Sequence, residues 1–539
     1  MFFNNFISSD YEFNECTSRG ACSVSPDITS LQEVILIFLR QLAFYELKLS
    51  SMDVQQFKNK DVLIEGVMSL ENTKEYTQDQ LLEIISGLYS DLVKTRRLYT
   101  KTCNERDIKC EDLKFALKLS PQMTLAAIIK EGEKAFLEKY KKISPAQKNI
   151  TEILILVIKS VCANLIVLQS YAPIENSSYI TVLKGLNLLN QTRVSLDKIK
   201  KMIDELAKTD LELISLRNKL QIKTYGKVSQ KSVSLSTRPG KAILVSGRNF
   251  QNLYDILEAT KDASIDIYSH SDLLIAHSFE AFNKFNHFKG HYGNCMENCV
   301  LDFATFPGAI LLTKNSAQNL EYLYRGRLFS AEKLPPKGVV QIKDNDFTPL
   351  IESANDAKGF AKGREMGQIE VGYNYDVLMA EIEKISEKFK SGEIEHIFFI
   401  GMSNYSAAQN EYFTKLLKLL PKKTFVISFS YHNDADNILY INLVNNLPLA
   451  YNLLHEISEK LPLDDERVTF FLTKCDANSV SNMISLKNLG AKNIYLSKCP
   501  PMVISPTILS TLSTLYNIKN TTYPVNDLEN ILNNKETGI

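Results

Sequence analysis

The chain has 539 residues, of which 45% are hydrophobic and 23% charged. This composition is that of a soluble globular protein, and it excludes a disordered chain, a collagen-like fibre and a disulfide miniprotein. Lys plus Arg and Asp plus Glu number 62 each, so the formal net charge is zero; no basic excess marks a nucleic-acid binder, and the missing self-repulsion favours self-association.

At roughly 150 residues per domain, the length predicts about three to four domains. The first residues, Met1-Phe2-Phe3-Asn4-Asn5-Phe6, carry no basic leader and no long apolar core, and do not read as a secretory signal. Residues 28–222 are dominated by helical periodicity: Leu31, Val34, Ile35, Phe38, Leu39, Leu42 and Tyr45 recur every three or four positions. The same spacing returns at 81–85, 151–169 and 199–220, with Pro26, Pro121, Pro145 and Pro173 as boundaries. The apolar run 153–168 is broken by Lys159 and Asn164 and falls short of the ~20 apolar residues a spanning helix needs. It reads as a buried core helix with a polar stripe. The expectation is a helical bundle without membrane insertion.

The texture changes at Tyr225-Gly226. Beyond it, short apolar runs alternate with amphipathic helices. Ala242-Ile243-Leu244-Val245, Ile265-Asp266-Ile267-Tyr268 and 309–313 read as strands, with a helix at 250–259. A second set follows at 396–401, 425–429 and 493–496, with helices at 376–389 and 412–420. Strand–helix alternation favours parallel α/β units. The predicted class is therefore α + α/β: a helical bundle domain over 1–225, then two doubly wound, Rossmann-like domains over 226–370 and 371–539.

Generic motifs are few. There is no Walker loop and no GxGxxG opening a helix after a strand. Cys295 and Cys299 follow His287 and His291, but the spacing does not match a compact four-ligand zinc site. Cys475 and Cys499 read as core thiols, and Lys94-Thr95-Arg96-Arg97 as a solvated helix face. Nine scattered cysteines without a framework predict reduced thiols in a cytoplasmic protein.

Several segments, in order along the chain, resemble the hybrid cluster protein (prismane, hydroxylamine reductase) family. They are Leu31-Gln32-Glu33, Thr224-Tyr225-Gly226, Ile243-Leu244-Val245-Ser246-Gly247 and Tyr268-Ser269-His270, then Gly290-His291-Tyr292-Gly293, Phe306-Pro307-Gly308 and Leu489-Gly490-Ala491-Lys492-Asn493-Ile494. The resemblance covers essentially the whole chain. It implies a helical domain followed by two α/β domains, and two iron–sulfur centres: a 4Fe–4S cluster on four N-terminal cysteines, and a hybrid 4Fe–2O–2S cluster on one His, two Glu and four Cys.

Carried over residue by residue, most ligands change. The N-terminal positions fall on Phe3, Phe6, Cys16 and Cys22. The hybrid-cluster His falls on Arg248, its carboxylates on Asp272 and Asp476, and its cysteines on Ser316, Ser403, Tyr431 and Leu447. Phe and Leu have no lone pair, Ser is a poor substitute for a soft thiolate, and Arg stays protonated. On that basis the expectation is a chain without either cluster and without catalysis, retained for a structural or self-assembly role as a homo-oligomer. Arg248, Asp272 and Asp476 would form a buried charge cluster, with Tyr431 and Leu447 filling the cluster's former volume. The alternatives are a hydroxylamine or nitric oxide reductase, as in the family, and a small-anion binder using Arg248, Ser316 and Ser403. The first is an enzyme; the other readings are not.

Overall fold

The computed structural model describes residues 25–54, 60–70, 76–113, 124–140, 143–191, 194–293, 299–313, 322–332, 335, 338–401, 407–429, 437–444, 446–473, 477–497 and 506–532. The chain falls into two compact units. One comprises residues 1–214, 475–494 and 499–520; the other comprises 215–474, 495–498 and 521–539. The class is the one the periodicity predicts, a helical N-terminal part followed by two doubly wound parallel α/β sheets.

The helices of the first part are α1 (Pro26–Ser50), α2 (Lys60–Met68), α3 (Gln78–Glu105), α4 (Leu125–Tyr140), α5 (Pro145–Leu168), α6 (Asn176–Leu188) and α7 (Leu196–Tyr225). Their starts are written locally. Ser25 caps α1 and Ser144 caps α5, each followed by Pro at the first helical position, and Thr77 with Gln80 forms a capping box on α3. The spaced apolar residues of α1 are buried against α3, α4 and α6. Gly132 lets α4 approach closely, since a Cβ there would lie 2.1 Å from the Ser30 carbonyl oxygen.

Helix α5 is 24 residues long, longer than the 153–168 run, because its first turns are polar. By length and composition α1 and α5 are both long and apolar enough to cross a membrane, yet 78% of each apolar window is buried within the fold. The polar stripe of α5 is buried too. Lys159 Nζ donates to the Leu70 carbonyl at 3.4 Å. Ser160 donates to Asp210 Oδ2 at 2.6 Å and Asn164 donates to Oδ1 at 2.9 Å. Ser481 supplies a third donor to Asp210, at 2.6 Å. Asp210 is fully buried, and burial raises its pKa while the three donors oppose that shift.

The first sheet contains β2 (Lys241–Gly247), β3 (Ile265–His270), β4 (Phe288–His291), β5 (Ala309–Thr313), β6 (Leu328–Ser330) and β7 (Val340–Gln341), all parallel, in the order β4-β3-β2-β5-β6-β7. A separate ribbon pairs β1 (Lys231–Ser234) antiparallel with β8 (Gln368–Val371). The helices here are α8 (Phe250–Ala259), α9 (Cys299–Thr305), α10 (Tyr322–Arg325) and α11 (Thr348–Asp356). β2, β3 and β5 are buried almost throughout, as expected of central parallel strands covered on both faces. Tyr268, Phe303, Phe306, Ile310 and Tyr324 form one side of that core.

The second sheet repeats the winding. Its strands are β9 (His396–Ile400), β10 (Thr424–Ser428), β11 (Ile438–Tyr440), β12 (Val468–Leu472), β13 (Asn493–Leu496) and β14 (Ile518–Asn520), in the order β11-β10-β9-β12-β13-β14. Its helices are α12 (Tyr375–Ser391), α13 (Ala407–Leu419), α14 (Leu447–Ser458), α15 (Ala477–Asn488), α16 (Pro506–Tyr516) and α17 (Pro524–Leu532). Phe399 and Phe470 stack across β9 and β12 with ring centroids 4.9 Å apart.

Candidate functional site

In the first sheet the connections from β2 run toward β3 and β4, whereas those from β5 run toward β6 and β7. The order reverses between β2 and β5, and open α/β sheets place ligands in the crevice at the carboxyl ends of such strands. Here the crevice begins at Gly247, the last residue of β2. Its φ is +127°, and a Cβ would lie 1.9 Å from the Thr313 carbonyl oxygen, so only glycine fits. The Arg248 amide then donates to that carbonyl at 3.2 Å. The next residue, Asn249, caps α8, its Oδ1 accepting from the amides of Gln251 (2.9 Å) and Asn252 (3.2 Å).

From the neighbouring strand, β3, comes the acidic side of the crevice. Ser271 adopts a left-handed conformation with φ +60°. For a non-glycine residue this costs about 1–3 kcal/mol, and such strain clusters at functional sites. The turn it makes delivers Asp272, whose Oδ2 lies 4.0 Å from Arg248 Nε. The Arg248 side chain is 46% exposed and that of Asp272 17%. The crevice therefore offers a solvent-facing guanidinium against a largely covered carboxylate.

Behind this pair runs a buried polar network. The Ser246 hydroxyl lies 2.8 Å from His270 Nδ1, and His270 Nε2 lies 3.2 Å from Asp302 Oδ2. With the carboxylate accepting from Nε2–H, Nδ1 is left to accept from the serine. Ser246 is fully buried, so this chain of contacts ties β2, β3 and α9 together and presents no nucleophile. Ser269 joins two more histidines, its Oγ 3.0 Å from His277 Nε2 and 2.9 Å from His291 Nδ1. Burial pushes His277 down to about 3 and holds His291 well below the usual histidine range. His291 Nε2 is buried with no hydrogen-bond partner among the described residues. Among the described residues, no group of three or more His, Cys, Asp or Glu is arranged to hold a metal ion.

Of the positions singled out in the sequence, Phe3, Phe6, Cys16, Cys22, Ser316, Ser403, Tyr431 and Asp476 lie outside the described residues. Arg248 and Asp272 do come together, but the expected buried charge cluster is corrected by the exposure of the arginine. A pair this open is worth about 0–1 kcal/mol, not the several of a buried one. Leu447 is the half-buried first residue of α14, where Asn446 caps the helix by accepting from the Leu449 amide at 3.1 Å. The His287–His291 pair is not brought to one point. His287 Nε2 contacts Thr260 Oγ1 at 3.0 Å, while His291 turns to Ser269. The buried histidine network was missed in the sequence. Its signal was polar residues ending apolar strands, as in Tyr268-Ser269-His270 and Gly290-His291.

The profile of a family described as Prismane/CO dehydrogenase matches residues 12–430. A protein of Thermodesulfovibrio yellowstonii named hydroxylamine reductase is 26% identical, covering 96% of this chain and 98% of that one. Hydroxylamine reductases of Syntrophobacter fumaroxidans (23% identical) and Rippkaea orientalis (25%) each cover 96% of this chain and are covered to 97% themselves. A solved structure of the alpha subunits of acetyl-CoA synthase/carbon monoxide dehydrogenase, with NiZn[Fe4S4] and NiNi[Fe4S4] clusters, aligns at a TM-score of 0.48 and 12% identity, over 96% of this chain and 83% of that one.

These relatives overturn the expectation of a cluster-free, catalytically inactive chain kept for a structural role. Proteins that match it end to end are named for a reductase activity. That correction rests on the whole-chain matches, at 23–26% identity over 96% of this chain.

Proposed function

Because the chain belongs to the Prismane/CO dehydrogenase family, we propose that it is a reductase acting on hydroxylamine at the carboxyl-edge crevice of its first sheet. The observation that carries this reading is the end-to-end match to relatives named hydroxylamine reductase. The reaction takes two electrons from an external donor and two protons. The N–O bond breaks, the oxygen leaves as water and the nitrogen as ammonia.

The family resemblance implies iron–sulfur centres. By themselves Arg248, Asp272 and Leu447 do not fit a thiolate-held cluster: they supply one carboxylate, a permanent cation and a hydrocarbon. Arg248 donates to the hydroxylamine oxygen and stabilises the negative charge that grows on it as the N–O bond stretches. Asp272 accepts from the nitrogen and fixes the small molecule's orientation. The strained turn at Ser271 and the fixed carboxyl ends of β2 and β3 hold this geometry before substrate arrives.

The test is ammonia release from hydroxylamine by anaerobically purified protein with a reduced viologen as donor. Arg248→Gln is expected to lower kcat/KM about 10–100-fold, mainly through kcat, with Asp272→Asn acting mainly through KM. Wild-type kinetics in both variants would remove the crevice from the reaction. Self-association belongs to the same reading, on the strength of the balanced charge. A sizing experiment that returns only the 61.1 kDa monomer would refute it.

A further inference from the structure

The turn that presents Asp272 has little local support. A 3₁₀ helix, Ser271–Ser278, begins on the left-handed Ser271 (φ +60°), and no side chain among the described residues caps its start. Glycine would take this backbone without strain, whereas a serine does not. Other contacts therefore have to offset what the serine costs. They stand one residue earlier.

His270 ends β3 and is fully buried. Its register partner on β2 is Ser246, whose hydroxyl lies 2.8 Å from Nδ1. At the other nitrogen, Nε2 lies 3.2 Å from Asp302 Oδ2, and the ring of Phe303, next along α9, sits against the imidazole with centroids 5.4 Å apart. Asp302 is itself enclosed. Gly293, at φ +77°, brings the chain after β4 so close that a Cβ there would lie 2.3 Å from the same Oδ2. One imidazole is thus fastened at both nitrogens. Arg248 and Asp272 stand two positions beyond Ser246 and His270, so the crevice pair is built on the row of the sheet that this ring closes.

We propose that His270 is a positioning residue for Asp272. Held between Ser246 and Asp302, the ring fixes the carboxyl end of β3. The fixed strand end imposes the left-handed turn at Ser271, and the turn sets Asp272 Oδ2 4.0 Å from Arg248 Nε. This inference rests on the reading of the crevice as the place where hydroxylamine binds. His270 touches no substrate. Its effect passes through Asp272 and so falls on KM, where Asp272 acts by orienting the small molecule.

The test is a double-mutant cycle on the full chain, purified anaerobically and assayed with hydroxylamine and reduced viologen. His270→Asn keeps an amide near the Nδ1 position for Ser246 and gives up Asp302. It is expected to raise KM about tenfold with kcat within about twofold of wild type. In the Asp272→Asn background the same substitution is expected to change KM by less than about twofold, since the carboxylate it positions is already gone. Adding Ser271→Gly to His270→Asn is expected to bring KM back to within about threefold of wild type, because glycine takes the turn without strain. A general loss of packing would instead lower kcat, act equally in both backgrounds and ignore Ser271→Gly; any of these results overturns the proposal. If His270→Asn does not fold, Ser246→Ala takes its place in the cycle with the same expectations, and a wild-type KM in that variant overturns the proposal too. A crystal structure of the variant separates this inference from the assignment of the reaction. It is expected to show Ser271 at negative φ and Asp272 withdrawn from Arg248. An unchanged turn overturns the positioning role even where hydroxylamine is turned over, whereas a moved turn in a protein whose wild type lacks that activity upholds it and removes the reaction.

Discussion

Acid sensitivity of the first sheet follows from His277 and is large enough to measure. The ring stacks on Phe288 with centroids 3.7 Å apart and lies against the Ser269 hydroxyl. Burial lowers its pKa from 6.5 to about 3. The unfolded chain therefore binds a proton below pH 6.5 that the folded chain refuses. Stability is intact above pH 6.5 and falls as the pH drops toward 3. Each unit of pH across that window costs about 1.4 kcal/mol, so at pH 5 the penalty from this one ring is about 2 kcal/mol. His277→Gln keeps a polar side chain and removes the titration. Urea unfolding at pH 7.5 and pH 5, followed by far-UV circular dichroism or by tyrosine fluorescence in a chain with no Trp, measures the difference. His291, on the same Ser269 hydroxyl, acts in the same direction and remains in the variant. The wild type is expected to lose about 2 kcal/mol more than the variant on acidification. Equal losses would refute the assignment of a buried, neutral ring.

Glu46 on α1 carries the opposite sign. Burial raises its pKa to about 7 despite the Thr95 hydroxyl 3.2 Å away. Folding is thus penalised as the pH rises from 4.5 through 7, and Glu46→Gln should raise the urea midpoint at pH 8 by about 1–3 kcal/mol equivalent while changing little at pH 4.5. Asp210→Ala removes the acceptor of three buried donors and should cost about 3 kcal/mol or more in thermal or chemical unfolding, whereas Asp210→Asn should recover part of that loss. Gly247→Ala forces a side chain onto the Thr313 carbonyl and should cost more than about 2 kcal/mol, or prevent folding, by the same measurement.

The architecture was legible because its long elements carry strong periods. The α1 face beginning at Leu31 and the runs at β2, β3, β5, β9 and β10 all read correctly, and the 250–259 helix was placed to the residue. β12 was overlooked although Val468-Thr469-Phe470-Phe471-Leu472 is β-branched and aromatic; it sits next to the charged turn 464–467 and no glycine marks its start. β4, β6 and β7 are two to four residues long, too short to show a period, and exist because neighbouring strands pair with them. The site was less legible. Arg248 and Asp272 were found as a pair through family order, but their openness depends on the turn at Ser271, whose left-handed backbone has no marker in a serine. Burial of Ser246, Ser269, His270 and His291 behind the crevice is a tertiary property: in sequence, polar residues at strand ends look like surface.

Hydroxylamine turnover tests the central claim most directly. Anaerobically purified full-length protein, given excess reduced viologen and a known amount of hydroxylamine, is predicted to oxidise two viologens for each ammonia formed and to convert the hydroxylamine completely. Ammonia no higher than in the protein-free control, from protein that is folded by circular dichroism, would contradict the assignment of a hydroxylamine reductase.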